Sequence, residues 1–328
     1  MANNQLIIVS TLFFAISLVH GLTPLEEFVS RPDQGISYFV NHTFNGDGYK
    51  VYALNFTSLN WLQPPLTDKP RWNHMLYVCV PTFVTTKTAF LYIQSPYSSI
   101  TVPNTTTLHP MADSFCKNSN SITAVIDQVG NAPLVQADGV SRAEDTLMAW
   151  SWATYMQNTS NTEIINNFPI TKAVVRAMDA VQSFTKTALS IRVKDFVVAG
   201  PSKRGLAAWL AAVTDTCVKA IVPLVAAMLH TKTFINNHVR AYGGFSFAFY
   251  DYFLGGVTAM VNHPQFDALH LILWQPSLHH RLLLRAKHIP IPKLWTRLCQ
   301  CSIHGLMDNI YYISLLINVQ LTLVGSPF

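Results

Sequence analysis

The chain has 328 residues, half of them apolar and only 12% charged, a balance that suits a large buried core and excludes disorder. The formal net charge is +5, yet residues 268–328 carry Arg281, Arg285, Lys287, Lys293 and Arg297 against Asp308, so +4 of it sits in the tail. The remainder is close to neutral, and neither nucleic acid nor a membrane surface is an expected partner.

From the start, Leu6–Val19 is an uncharged apolar run, and Val19-His-Gly21 places small residues where a signal peptidase cuts. A secretory signal over residues 1–21 is the expectation, with a buried strand or a membrane anchor as the other readings. The run is short for an anchor, so no membrane span is expected after cleavage. Sequons at Asn41, Asn55, Asn104 and Asn158 fit passage through the secretory pathway, although Asn55 lies in a strand-like run. Five cysteines follow no metal-ligand rhythm, and no metal or other cofactor is expected. Cys79 and Cys217 fall in strand-like segments and read as buried thiols, while a bridge through Cys116 is left open.

Gly35–Val40 and Lys50–Ser58 alternate like strands around a turn at Asn45-Gly-Asp-Gly48. Met75–Pro81, Thr88–Gln94 and Ser121–Gln128 continue as apolar strands, which suggests an antiparallel start. From Ala143 the period becomes helical, over Ala143–Gln157 and Thr171–Ala188. Residues 194–200, with Phe196-Val-Val-Ala-Gly200 at their end, then read as a buried strand entering a sharp turn, with a helix over 203–214 beyond it and Val218–Val225 as the next strand. A right-handed crossover makes the two flanking strands parallel.

Ser202 falls at that turn, where a hydrolase presents its nucleophile, and the amide of Lys203 would point at a forming oxyanion. The usual pattern is G-x-S-x-G, whereas Arg204 takes the fifth position and glycine follows at Gly205. A serine that merely caps the helix is the competing reading. The aromatic stretch Tyr242–Phe253 reads as packed core ahead of a pocket lining or a cap. His74 reads as a hydrogen-bonded structural histidine, not a ligand.

Seven segments together resemble one family. They are Phe28–Asp33, Val51–Trp61, Pro70–His74, Arg142–Asp145, Thr171–Asp179, Ala199–Gly205 and Tyr242–Phe247, spread over about residues 25 to 270. These resemble the PhoPQ-activated pathogenicity-related proteins, which also include the autocrine proliferation repressor of social amoebae. The resemblance implies an α/β-hydrolase-like mixed sheet, antiparallel at its start and parallel at its centre, with helices on both faces. It makes Ser202 the counterpart of the serine in the family's S-K-R-G turn.

Two departures stand out. Gln94-Ser-Pro-Tyr97 replaces a glycine-rich turn, and its proline lacks an amide that could serve an oxyanion hole. Pro292-Lys-Leu294 runs into Trp-Thr-Arg-Leu-Cys-Gln-Cys where members continue to G-D-E-F-F and a later histidine. The expected layout is therefore a hydrolase-like domain over residues 22–272, incomplete at its C-terminal end, and a divergent tail over 273–328. The composition of that tail is what an alternative exon or a shifted reading frame would produce.

A serine hydroxyl needs a histidine to take its proton and a carboxylate to orient that histidine, in the chain order serine, acid, histidine. Asp267 with His288 satisfies the order, as weak candidates, because neither follows a recognisable later strand. Two functions stay open. One is a secreted serine hydrolase acting on a small ester or peptide; the other is a pseudoenzyme that binds a cell-surface receptor or ligand on the same scaffold.

Overall fold

The computed structural model describes residues 22–94, 108–226 and 231–273; the expected signal and tail lie outside them. Helix α1 (Pro24–Ser30) opens on a capping box between Thr23 and Glu26. Strand β1 (Ser37–Gly46) turns through Asp47-Gly48 into β2 (Tyr49–Asn60), and β3 (Arg71–Pro81) returns beside it, all antiparallel. Gly48 has φ +77°, a left-handed backbone that glycine adopts at little steric cost.

β4 (Thr88–Ile93), helix α2 (Pro110–Lys117) and β5 (Thr123–Ile126) follow. A small hairpin of β6 (Leu134–Val135) and β7 (Ser141–Arg142) leads to α3 (Glu144–Gln157) and the long α4 (Asn167–Leu189). Then come β8 (Asp195–Pro201), α5 (Lys203–Thr214) and β9 (Val218–Leu224). Helices α6 (Thr231–Tyr242), α7 (Tyr250–Leu254) and α8 (Pro264–Leu273) complete the described chain.

The main sheet has the order β1-β2-β3-β5-β4-β8-β9. β3 and β5 are antiparallel, whereas β5, β4, β8 and β9 run parallel. The expected mixed sheet, antiparallel first and parallel at its centre, is therefore present. Because successive strand residues face opposite sides, the sheet carries two cores. Leu54, Leu76, Leu91 and Val198 pack toward α3, α4 and α5, while Ala53, Tyr77, Phe90 and Val125 pack with Phe115 of α2.

A disulfide between Cys79 and Cys116, with Cα atoms 5.9 Å apart, ties α2 to β3. Cys79 is thus half of a bridge and not the free thiol that its strand position suggested. The eight residues of α2 are too few for a helical period to stand out, so its approach to β3 was not visible in the chain. Cys217 is unpaired and partly buried.

His74 is buried on β3, where its Nδ1–H donates to the Asp127 carbonyl at 3.0 Å. A carbonyl only accepts, so Nε2 carries the lone pair and receives the Ser58 hydroxyl at 2.7 Å. Burial pushes the ring down to about 4, against smaller opposing effects of backbone groups. The unfolded chain, with an ordinary histidine near 6.5, then binds the proton first, and stability rises with pH between the two values. Acidification from pH 6.5 to 4 is expected to remove roughly 3 kcal/mol through this residue. Urea denaturation of wild type and His74→Gln across that range checks it; equal acid sensitivity of the two proteins would refute the assignment.

Candidate active site

Ser202 lies between β8 and α5 at the carboxyl rim of the parallel strands, with φ 52° and ψ −122°. Non-glycine residues rarely adopt that backbone, which costs about 1–3 kcal/mol and persists only where neighbours enforce it. The Ser202 amide donates to the Leu224 carbonyl at 2.8 Å, which anchors the turn to the end of β9. Its side chain is exposed and makes no capping hydrogen bond. The helix-cap role weighed for this hydroxyl is not what the geometry shows.

The glycines explain the unusual spacing of the motif. A Cβ at Gly200 would sit 2.7 Å from the Arg204 Cβ, and one at Gly205 would sit 2.5 Å from the Ala226 Cβ and 2.9 Å from the Gly200 carbonyl oxygen. Gly200 therefore makes room for the side chain at the fifth position. Gly205 lets the helix press against the strand ends.

Four charged side chains meet beneath the turn. Lys203 Nζ lies 2.7 Å from Asp145 Oδ2 and 3.0 Å from Glu144 Oε2, and Arg204 Nη1 donates to the same Glu144 oxygen at 2.6 Å. Arg204 Nη2 donates to the Val129 carbonyl at 2.6 Å, in the loop after β5. The Tyr252 hydroxyl donates to Asp145 Oδ1 at 3.0 Å. Burial alone would raise the Glu144 carboxyl, but the Arg204 hydrogen bond and the two cations outweigh it and hold the carboxyl below its ordinary range. Burial and then the Asp145 charge push the Tyr252 phenol well up. None of Glu144, Asp145, Arg204 and Tyr252 was singled out for a role from the chain alone. The only signal was that Arg142–Asp145 and Ala199–Gly205 both belonged to the segments carrying the resemblance.

Lys203 is the first residue of α5, where backbone amides have no intrahelical acceptor. The Gln94 amide, by contrast, is already given to the Ile126 carbonyl at 2.9 Å, and Ser95–Tyr97 lies outside the described residues. Asp267 on α8 pairs with Lys232 on α6 at 2.8 Å and is half exposed. His288 lies outside the described residues. Asn41 and Asn158 are exposed, Asn55 is partly buried in the ladder between Phe39 and Met75, and Asn104 lies outside.

Of the aromatic stretch, Phe249 and Tyr252 are core residues, and Tyr252 packs on Trp152 with ring centroids 5.4 Å apart. Tyr242, Phe245, Phe247, Tyr250 and Phe253 are exposed, Phe247 by 94%. The expectation of a packed cluster is corrected: short helical turns lying on the surface can bury only one side of such a run. A groove of about 600 Å³ lined by Tyr49, Lys50, Val80 and Ile191 lies at the β1–β2 turn, at the end of the sheet opposite Ser202.

The strand order, the parallel centre and the strained strand-to-helix turn define an α/β-hydrolase-like protein. A profile of the PhoPQ-activated pathogenicity-related proteins matches residues 25–296, and the chain belongs to that family. It is 37% identical over 262 residues to autocrine proliferation repressor protein A of Dictyostelium discoideum, a match that covers 79% of this chain and 52% of that one. The chain thus spans about half the length of that relative. Similar solved structures include the acetyl xylan esterase from Paenibacillus sp. R4, at 12% identity and TM-score 0.47 over 81% of this chain and 73% of that one. Acetyl xylan esterase 1 from Thermoanaerobacterium sp. JW/SL YS485 matches at 12% identity and TM-score 0.45, over 81% and 75%.

Proposed function

We propose that this is a secreted α/β-hydrolase-like protein in which Ser202 is the nucleophile toward an ester or peptide bond. The observation that carries the proposal is the exposed Ser202 hydroxyl, uncommitted to helix capping, on backbone of φ 52° and ψ −122° at the rim of the parallel strands. In the step envisaged, Oγ bonds to the carbonyl carbon, the carbonyl electron pair moves onto oxygen, and the Lys203 amide donates to that oxyanion. The hydroxyl proton passes to a base; His288 is one of several downstream histidines that satisfy the chain order, and a weak candidate for it. Secretion is supported by the apolar leader, the Cys79–Cys116 bridge and the exposed sequons at Asn41 and Asn158. Among the described residues no helix is long and apolar enough to cross a membrane.

A second reading, a non-catalytic protein that binds a receptor on this scaffold, draws on the Asp267–Lys232 pair, which occupies the candidate acid. The name of the Dictyostelium relative, a proliferation repressor, points the same way. A fluorophosphonate probe separates the two. The catalytic reading expects labelling of Ser202, found by peptide mass spectrometry and lost in Ser202→Ala. Folded protein that takes up no label would leave the binding reading.

A further inference from the structure

The charged group beneath the turn joins four segments of the carboxyl rim: the loop after β5 through Val129, the start of α3 through Glu144 and Asp145, the elbow itself, and α7 through Tyr252. Lys203 and Arg204 immediately follow the strained Ser202, and their side chains are 8% and 5% exposed. Two cations face two carboxylates, so the group is neutral as a whole. Glu144 itself adopts a left-handed backbone, with φ 50°. Two strained residues, one on each side of the same ion pairs, are what a clamp under load would show. Surface ion pairs contribute little because water screens them; here both cations are buried, the carboxylates are partly exposed, and Glu144 is shared by the two cations.

We infer that Glu144 and Asp145 are positioning residues for Ser202, acting through Lys203 and Arg204 to hold the elbow in its reactive backbone geometry. Glu144 bridges the two cations. Asp145 locks Lys203 and is itself oriented by Tyr252, which makes α7, carrying Tyr250 and Phe253 on its exposed side, part of the elbow's support. The inference rests on the nucleophile reading only for its chemical consequence; the mechanical part stands by itself.

The test uses the full chain with Glu144→Gln, and with Asp145→Asn as a milder variant that still accepts the Tyr252 hydrogen bond. Hydrogen exchange of the peptide spanning 199–206 is compared with that of 88–93 on β4, alongside fluorophosphonate labelling. Expected is faster exchange confined to 199–206 and labelling slower by about 100-fold, the scale on which misplacement of a reacting group acts. Unchanged exchange at 199–206 in both variants would overturn the inference, as would exchange that rises equally in 88–93. Wild type that resists the probe, with exchange still faster at 199–206 in the variants, would refute the nucleophile and leave the clamp standing.

Discussion

Replacing Asp33 with alanine is expected to destabilise the fold by about 3–5 kcal/mol, the usual cost of breaking a buried ion pair from one side. Lys172 lies in the second turn of α4 and is fully buried. Its ammonium pairs with Asp33, donates to the Arg31 carbonyl at 2.7 Å, and lies 5.1 Å from the centre of the Phe28 ring. Burial already lowers its affinity for the proton, and Asp33 opposes that effect. Without the carboxylate, one carbonyl and one ring face must compensate a charge removed from water. The double variant Asp33→Ala/Lys172→Met should recover much of the loss, because a flexible apolar chain can fill the space with no charge to solvate. Urea midpoints at constant slope decide it; a single variant within 1 kcal/mol of wild type would show that water reaches the lysine.

Gly205→Val is expected to cost about 3 kcal/mol and to abolish labelling of Ser202. Even a single Cβ meets the Ala226 Cβ at 2.5 Å and the carbonyl oxygens of Gly200 and Leu224 at 2.9 and 3.3 Å. These are backbone or methyl groups with no flexible end to yield, so the helix must shift away from β8 and β9. The Ser202 amide is bonded to Leu224, so such a shift acts directly on the turn. Gly244→Ala provides the control, since nothing lies within 4 Å of its added Cβ. Thermal unfolding and probe uptake of the two variants give the comparison, and a Gly205→Val protein that labels normally would mean that the close packing does not hold the elbow.

The elements around the serine were legible because their local signals are strong. The strand ending at Pro201, the helix over Lys203–Thr214 and the strand over Val218–Leu224 lie within a residue or two of the bounds read from the apolar pattern. The hairpin itself was legible in Asn45-Gly-Asp-Gly48, but β1 runs on to Gly46 and only Asp47-Gly48 forms the turn. By contrast, α2 and the β6–β7 hairpin are short, and nothing periodic announces them. The aromatic stretch misled for a related reason: composition alone does not tell which side of a helical turn faces water.

What the amino-acid order determined by itself is the type of the long elements from β1 to β9, though not of α6 and α8, together with the parallel pairing across the crossover at Ser202 and the family, because propensity, periodicity and chain handedness act over short separations. Tertiary structure alone decided that β5 inserts between β3 and β4, that Cys79 meets Cys116, that Lys172 meets Asp33, and that Glu144 and Asp145 lie beneath the serine. Each of those pairings joins residues tens to well over a hundred positions apart. Which charge finds which partner depends on how whole layers pack, and no local preference of the backbone carries that information.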